Sequence, residues 1–188
     1  MNQRDDTLDL RNRLFMLLKQ RAFRRGRFIL ASGKESDHYF DLKPAMLDPD
    51  GAALLAELIL RELEGIAVDC IGGIEMGAVP LIAPVAMKSP EHGRHLQGFF
   101  VRKTVKDHGT KKRVDGADIA GKTVAILEDV TTTGGSAMGA VGAVREAGAE
   151  VALVLSILDR GEGAAQFYAA AGIPFKSLFR AEEFLAVA

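Results

Sequence analysis

Glu128 and Asp129 close the apolar run KTVAIL and are followed at once by Val130, Thr131, Thr132, Thr133, Gly134, Gly135 and Ser136. Small polar residues that open a helix present consecutive backbone N–H groups to an anion, and the helix dipole adds to them. Gly134 and Gly135 permit close approach, and the hydroxyls of Thr131, Thr132, Thr133 and Ser136 add donors. Two carboxylates beside an anion would repel it unless they bind hydroxyls or a metal. A sugar phosphate meets both demands, with its phosphate in the loop and its ribose hydroxyls on Glu128 and Asp129. An ordinary strand-to-helix turn capped by Asp129 would leave the second acid and the threonines without a use. No lysine follows the paired glycines as a nucleoside-triphosphate loop requires, and no G-x-G-x-x-G follows the first strand as a dinucleotide fold requires.

A second group of chemically capable residues is cationic. Arg102, Lys103, Lys106 and His108 fall within RKTVKDHG, at the start of a charged, apolar-poor segment spanning 103–117. A segment of that length and composition reads as an exposed loop, and such loops in compact domains are usually functional or disordered. Lys111, Lys112 and Arg113 carry no further pattern and read as solvated. Arg160 follows an apolar strand and could pair a carboxylate with both arms of its guanidinium. His38, His92 and His95 have no partner evident in the sequence and read as surface residues.

The elements that must place these groups alternate. Asp6-Thr7 reads as the cap of a first helix with Leu10, Leu14 and Leu17 on one face, and FILASGKESDHYFD, 28–41, as a strand-turn-strand. Tyr39 and Phe40 could wall a pocket or pack in the core. Asp50-Gly51 opens a helix striped by Leu54, Leu55, Leu58 and Ile59. Apolar strands are expected at 67–72, 98–102, 122–127, 151–158 and 175–179, and helices at 78–87, 136–147 and 161–171. Continuous apolar strands alternating with helices imply an α/β fold with a mostly parallel central sheet flanked by helices. Ligands of such sheets bind at the carboxyl ends of the strands, where Glu128 and Asp129 fall.

The chain has 188 residues, 48% hydrophobic and 26% charged, enough for one domain with a sizeable core. A net charge of −1 points to neither nucleic acid nor an anionic membrane surface, so any anion site must be local. One cysteine, Cys70, in an apolar run, cannot form an internal disulfide and reads as a buried core residue. The charged N-terminus lacks the apolar core of a secretory signal, and no run approaches the roughly 20 apolar residues of a membrane helix. A cytoplasmic location is expected.

The stretch Glu128–Ser136 resembles the phosphoribosyl pyrophosphate motif of the type I phosphoribosyltransferases. Within that superfamily, Arg102-Lys103-Thr104-Val105-Lys106-Asp107-His108-Gly109 resembles the R-K-x-x-K-x-H-G loop of the orotate-specific family. Ser32, Gly33, Ser36, Tyr39, Phe40 and Asp41 are similar to its S-G-x-x-S-x-x-Y-F-D segment, and Leu158-Asp159-Arg160 to its L-D-R. The four segments lie in the same order and span about Phe28 to Arg160.

The resemblance implies a type I phosphoribosyltransferase fold in a single domain, 1–188, with an N-terminal helix and hood over 1–45 and a core over 46–188. It implies transfer of ribose 5-phosphate from phosphoribosyl pyrophosphate to orotate, a step of pyrimidine biosynthesis. Arg102, Lys103, Lys106, His108 and the residues Glu128 to Ser136 would bind phosphoribosyl pyrophosphate, and Thr132 and Arg160 would bind orotate. Lys106, Asp129 and His108 would be catalytic. Magnesium would be held mainly through substrate and water. A homodimer would share the cationic loop across its interface, with neither nucleic acid nor membrane as partner. The alternatives are a purine-type phosphoribosyltransferase and a non-catalytic regulator that binds the sugar pyrophosphate.

The segment Gly72-Gly73-Ile74-Glu75-Met76-Gly77 follows another strand end. Some members of the family carry lysine where this chain has Ala31 and Met76, and Glu75 adds an anion. No direct contact is assigned there, and Lys34 or Lys43 could compensate.

Overall fold

The computed structural model describes residues 3–29, 33, 35–103 and 113–186. The expectations placed on Ala31, Ser32 and Lys34, on 104–109 with Lys106 and His108, and on Lys111 and Lys112 fall outside these residues.

Helix α1 (Gln3–Arg21) begins before Asp6-Thr7. These two residues do not cap it. Asp6 pairs with Arg61 at 2.6 Å, and the Thr7 hydroxyl accepts from the same guanidinium at 2.8 Å. Leu10, Leu14 and Leu18 form the buried stripe, and Leu17 is only partly buried. Strands β1 (Phe23–Ile29) and β2 (Glu35–Phe40) form a separate antiparallel sheet, so the hairpin is present but starts five residues earlier than the sequence suggests. Side chains alternate along β2. Phe40 packs 5.0 Å from the Phe23 ring and 5.4 Å from Phe184, in the core, whereas Tyr39 is exposed beside Phe28.

A short helix, α2 (Lys43–Met46), leads into α3 (Pro49–Glu62). Asp48, not Asp50, caps α3: its carboxylate accepts from the N–H groups of Asp50 and Gly51, both at 3.1 Å. There follow β3 (Cys70–Gly72), α4 (Val79–Lys88), β4 (Gln97–Val101), β5 (Val114–Gly116), β6 (Thr123–Thr131), α5 (Gly135–Glu146), β7 (Glu150–Asp159), α6 (Ala164–Ala170), β8 (Phe175–Arg180) and α7 (Ala181–Ala186). Proline at the start of α4 suits a first turn, and Pro84 lies inside that helix. Strand β5 corrects the expectation of a continuous loop over 103–117; three residues are too few to show a period in the sequence. Arg113, read as solvated, is partly buried where its carbonyl accepts from the Arg102 N–H at 2.9 Å.

The main sheet has the order β5-β4-β3-β6-β7-β8 and is parallel except for β5. Alternate residues of its strands face two cores. Ile71, Ala125 and Leu127 meet α1, α3, α4 and α7, while Cys70, Val124 and Ile126 meet α5 and α6. Cys70 is buried as expected, and burial pushes its thiol pKa up. The direction in which strands are added across the sheet reverses between β3 and β6, because β3 connects through α4 toward one edge and β6 through α5 toward the other. The carboxyl ends of β3 and β6 therefore flank a crevice at the topological switch point.

His38 and His92 are not free surface residues. His38 Nδ1 lies 2.7 Å from Asp37, and His92 Nε2 lies 3.1 Å from Glu57. His95 is exposed. Glu57 also accepts from Arg61 at 2.8 Å and lies 3.3 Å from Lys88. Desolvation opposes its ionisation, but hydrogen bonds from Arg61, His92 and Lys88 prevail and lower its pKa to about 2. An acid with a folded pKa below its unfolded value stabilises the fold above the unfolded value and loses that contribution as pH falls toward the folded one. Glu57→Gln is expected to cost about 1–3 kcal/mol at pH 7. Chemical denaturation of both proteins from pH 7 downward should show the gap narrowing below about pH 4.5. A gap that does not change with pH would exclude a charge origin.

Candidate active site

Strand β6 outruns its neighbour β3. Gly72, the last residue of β3, pairs with Ile126, while β6 continues to Thr131, which pairs with Asp159 on β7. Glu128 and Asp129 thus lie on the strand itself, not in the loop after it. One flank of each lacks a parallel partner, and there the segment 73–78 folds across. The Val101 N–H donates to the Gly73 carbonyl and the Glu75 N–H to the Val101 carbonyl, which ties that segment to β4. The Glu75–Met76 peptide is cis. Gly77 lets this segment close on the acids: a Cβ there would stand 2.5 Å from Asp129 Oδ1.

The two acids differ because strand alternation sends them to different surroundings. Glu128 is 8% exposed and accepts from the Thr131 hydroxyl at 3.1 Å. Burial, reinforced by the neighbouring charge of Asp129, raises its pKa to about 7 against the pull of the Ser136 and Thr131 hydroxyls. Asp129 is partly exposed and accepts from the Val130 N–H at 2.9 Å. Beyond them Thr131 is buried, while Thr133, Gly135 and Ser136 are exposed at the start of α5. The first N–H groups of a helix have no partner within it, so the loop offers donors to an anion.

Gly134 fixes the shape of that loop. Its φ of +91° is one that side chains rarely adopt, and a Cβ there would lie 2.9 Å from Phe167 and 3.0 Å from Tyr168. The buried Tyr168 hydroxyl donates to the Gly134 carbonyl at 3.1 Å. Burial and the nearby Glu128 push the Tyr168 pKa up, so it remains a donor. Nothing in the sequence pattern singles out Tyr168, which sits 34 residues from its partner.

A cavity of about 260 Å³ opens at this end of the sheet, lined by Lys43, Glu75, Met76, Lys103, Glu128, Asp129 and Ser136 among others. Arg160 closes the neighbouring strand end. Its N–H donates to the Thr131 carbonyl at 2.9 Å. Its guanidinium is largely buried, with Nε 3.0 Å from Glu162 but not aligned for a hydrogen bond. Arg102 points to β5, where it pairs with Asp115 at 2.5 Å above the Phe100 ring. The Lys103 N–H donates to Glu75 Oε1 at 3.2 Å. The structure thus gathers Lys103, Glu128, Asp129, Ser136 and the start of α5 in one place, with Arg160 alongside, and adds Lys43, Met76 and Tyr168. An acid pair, an anion cradle and a buried guanidinium together can hold a polyol, a phosphate and a second carboxylate.

Residues 45–172 match the model of the phosphoribosyl transferase domain. The chain is 55% identical over 179 residues to an orotate phosphoribosyltransferase of Bradyrhizobium diazoefficiens, covering 93% of this chain and 96% of that protein. Its fold is similar to the Mycobacterium tuberculosis orotate phosphoribosyltransferase in complex with Fe(III) dicitrate, at TM-score 0.83 and 33% identity over 93% of this chain and 98% of that one. The same enzyme in complex with 5-phospho-alpha-D-ribosyl 1-diphosphate gives TM-score 0.79 and 31% identity, again over 93% and 98%.

Gly134→Ala is expected to lose about 2–4 kcal/mol in urea denaturation, from backbone strain and overpacking on Phe167 and Tyr168. Gly135→Ala, with nothing within 4 Å of the new methyl, should stay within about 0.5 kcal/mol of wild type. Equal losses at the two positions would refute this account of the loop.

Proposed function

The chain belongs to the orotate phosphoribosyltransferases of the type I phosphoribosyltransferase family, and from that premise we propose how its residues transfer ribose 5-phosphate from phosphoribosyl pyrophosphate to orotate. The observation that carries the reading is the junction of β6 with α5, where an acid pair, a glycine-shaped loop and a helix N-terminus follow one another beside Arg160. The phosphate of the substrate sits in the loop formed by Val130, Thr131, Thr132, Thr133, Gly134, Gly135 and Ser136. Glu128 and Asp129 accept hydrogen bonds from the ribose hydroxyls. Orotate lies against Thr132, with its carboxylate on Arg160, and that position favours orotate over a purine, which has no carboxylate to offer.

In the reaction the bond from the anomeric carbon to the diphosphate oxygen breaks, a bond from that carbon to a ring nitrogen of orotate forms, and the proton of that nitrogen passes to the departing diphosphate or to solvent. Positive charge develops on the sugar and negative charge on the diphosphate. Asp129, beside the sugar, stabilises the first. Lys103, and Arg102, Lys106 and His108 after rearrangement around the diphosphate, stabilise the second. Lys106, Asp129 and His108 are the catalytic residues of this reading. Magnesium fits as an ion carried in on the substrate. Among the described residues no cluster of three or more His, Cys, Asp or Glu side chains could hold it, so Glu128 and Asp129 would meet it together with substrate oxygens and water. Bound there, it would neutralise diphosphate charge.

The reading includes a single domain with a hood over 1–45, a homodimer and a cytoplasmic location. Two residues beyond the end of β4, Lys103 lines the cavity, in keeping with a cationic loop that covers a site on its own or a second copy. The single unpaired thiol suits a reducing compartment. Among the described residues no helix is long and apolar enough to cross a membrane.

The test is pyrophosphate release from magnesium, phosphoribosyl pyrophosphate and each nucleobase in turn. Release with orotate alone is expected, and Arg160→Ala should raise the KM for orotate about tenfold or more while changing that for phosphoribosyl pyrophosphate little. Release with purines, or binding without release, would replace this reading. Glu128 adds a pH signature. Ribose hydroxyls donate to its ionised form, so affinity for phosphoribosyl pyrophosphate should rise as pH approaches about 7 and then level off. Calorimetry on Glu128→Gln should lose that part of the pH dependence, leaving only the titration of the ligand's own phosphates.

A further inference from the structure

The cavity between β3 and β6 is lined by three acids, Glu75, Glu128 and Asp129, and by two lysines, Lys43 and Lys103. A substrate that brings a diphosphate into such a cavity needs cations close to it, and the acids supply none. Each acid already accepts a hydrogen bond. Glu75 accepts from the Lys103 N–H, Glu128 is held by the Thr131 hydroxyl in a buried position, and Asp129 accepts from the Val130 N–H. Asp129 also lies close enough to the Lys43 ammonium for their charges to interact. Partial burial opposes the charge on the Lys43 ammonium, but the hydrogen bond to Asp41 and the Asp41 charge outweigh it and raise the pKa, with a smaller contribution from the charge of Asp129.

The backbone under Lys43 is fixed. Leu42, Ala45 and Met46 are buried in the main core. Helix α2 meets α3 so closely that a Cβ on Gly51 would lie 2.0 Å from the Ala45 carbonyl oxygen. The side chain itself is about half exposed, and Nζ lies 3.3 Å from Asp41, the last residue before the turn into α2. Four methylenes on a rigid base let the ammonium move within the cavity mouth while Asp41 keeps it nearby. Met76 lines the same cavity and is 61% exposed.

We propose that Lys43 is a diphosphate-binding residue, one that contacts the departing group of phosphoribosyl pyrophosphate from the mouth of this cavity. It rests on the reading of the reaction given above. Neither Asp41 nor the hood is asked to do chemistry; they hold Lys43 where it can reach. A lysine suits the role because its compact ammonium acts as a point charge on phosphate oxygens and can follow the group as it leaves.

The forward and reverse reactions separate this role from a structural one and from one acting through Asp129. Lys43→Ala is expected to raise the KM for phosphoribosyl pyrophosphate, and for pyrophosphate in the reverse direction, about tenfold, the usual worth of a charge-assisted contact. The KM values for orotate and orotidine 5′-phosphate should stay within about twofold, and thermal melting should stay close to wild type. Met76→Lys in the Lys43→Ala background places an ammonium on the same cavity and should recover most of the lost affinity for pyrophosphate. An equal rise for orotidine 5′-phosphate would show that Lys43 acts on the ribose site through Asp129 and would overturn the proposal. Unchanged constants in Lys43→Ala would also overturn it. Wild-type protein without orotate-dependent release would instead overturn the reaction on which the proposal rests.

Discussion

Negative charge is the constraint around which this site is built. Glu128 and Asp129 sit side by side at the carboxyl end of the central strand, next to the free N–H groups at the start of α5 that suit an anion. Ionising Glu128 there is unfavourable because burial removes water from its carboxylate, and a pKa of about 7 against an ordinary 4.5 corresponds to a cost on the order of 3 kcal/mol at high pH. An acid whose folded pKa is raised lowers stability as pH climbs from the unfolded value through the folded one. The fold retains this acid at a cost to stability, which is what a group kept for binding rather than for packing looks like.

The surroundings answer that charge in layers. Hydroxyls of Thr131 and Ser136 hold Glu128, the Val130 N–H holds Asp129, and the N-terminus of α5 points its free donors at the adjoining space. Beneath them is a layer that shapes the backbone. Gly77 leaves room for Asp129, and Gly134 turns the loop while Tyr168 grips its carbonyl. Lysines arrive from two unrelated directions, Lys43 from the turn below the hood and Lys103 from the end of β4. The contrast with the Glu57 cluster is instructive. That acid has Arg61, His92 and Lys88 as partners and a pKa near 2, and it joins helices; Glu128 has hydroxyl partners and a pKa near 7, and it faces a cavity.

Much of this was legible in the chain. The apolar runs gave the parallel strands because a strand covered on both faces has no polar side, and the switch from KTVAIL to acids, threonines and glycines marked the change from core to site. Short or locally unpatterned elements were not legible. Strand β5 exists because it pairs with β4, and Tyr39 and Phe40 were separable only once the pairing of β1 with β2 set which of them turned inward. Asp6 and Thr7 carried a helix-cap signal, but Arg61 on another helix drew both of them away.

The sequence by itself determined the chemistry of the ligand. Glu128-Asp129 followed by a threonine and glycine loop asks for a sugar phosphate wherever it is placed, since donor and acceptor types are fixed by residue identity and local spacing. Only the tertiary structure decided how those groups behave. The burial that raises the pKa of Glu128, the grip of Tyr168 on Gly134 and the meeting of Lys43 and Asp129 at one cavity depend on contacts between residues far apart in the chain. Burial and charge act through space, and a linear pattern carries neither until the sheet has brought the strand ends together.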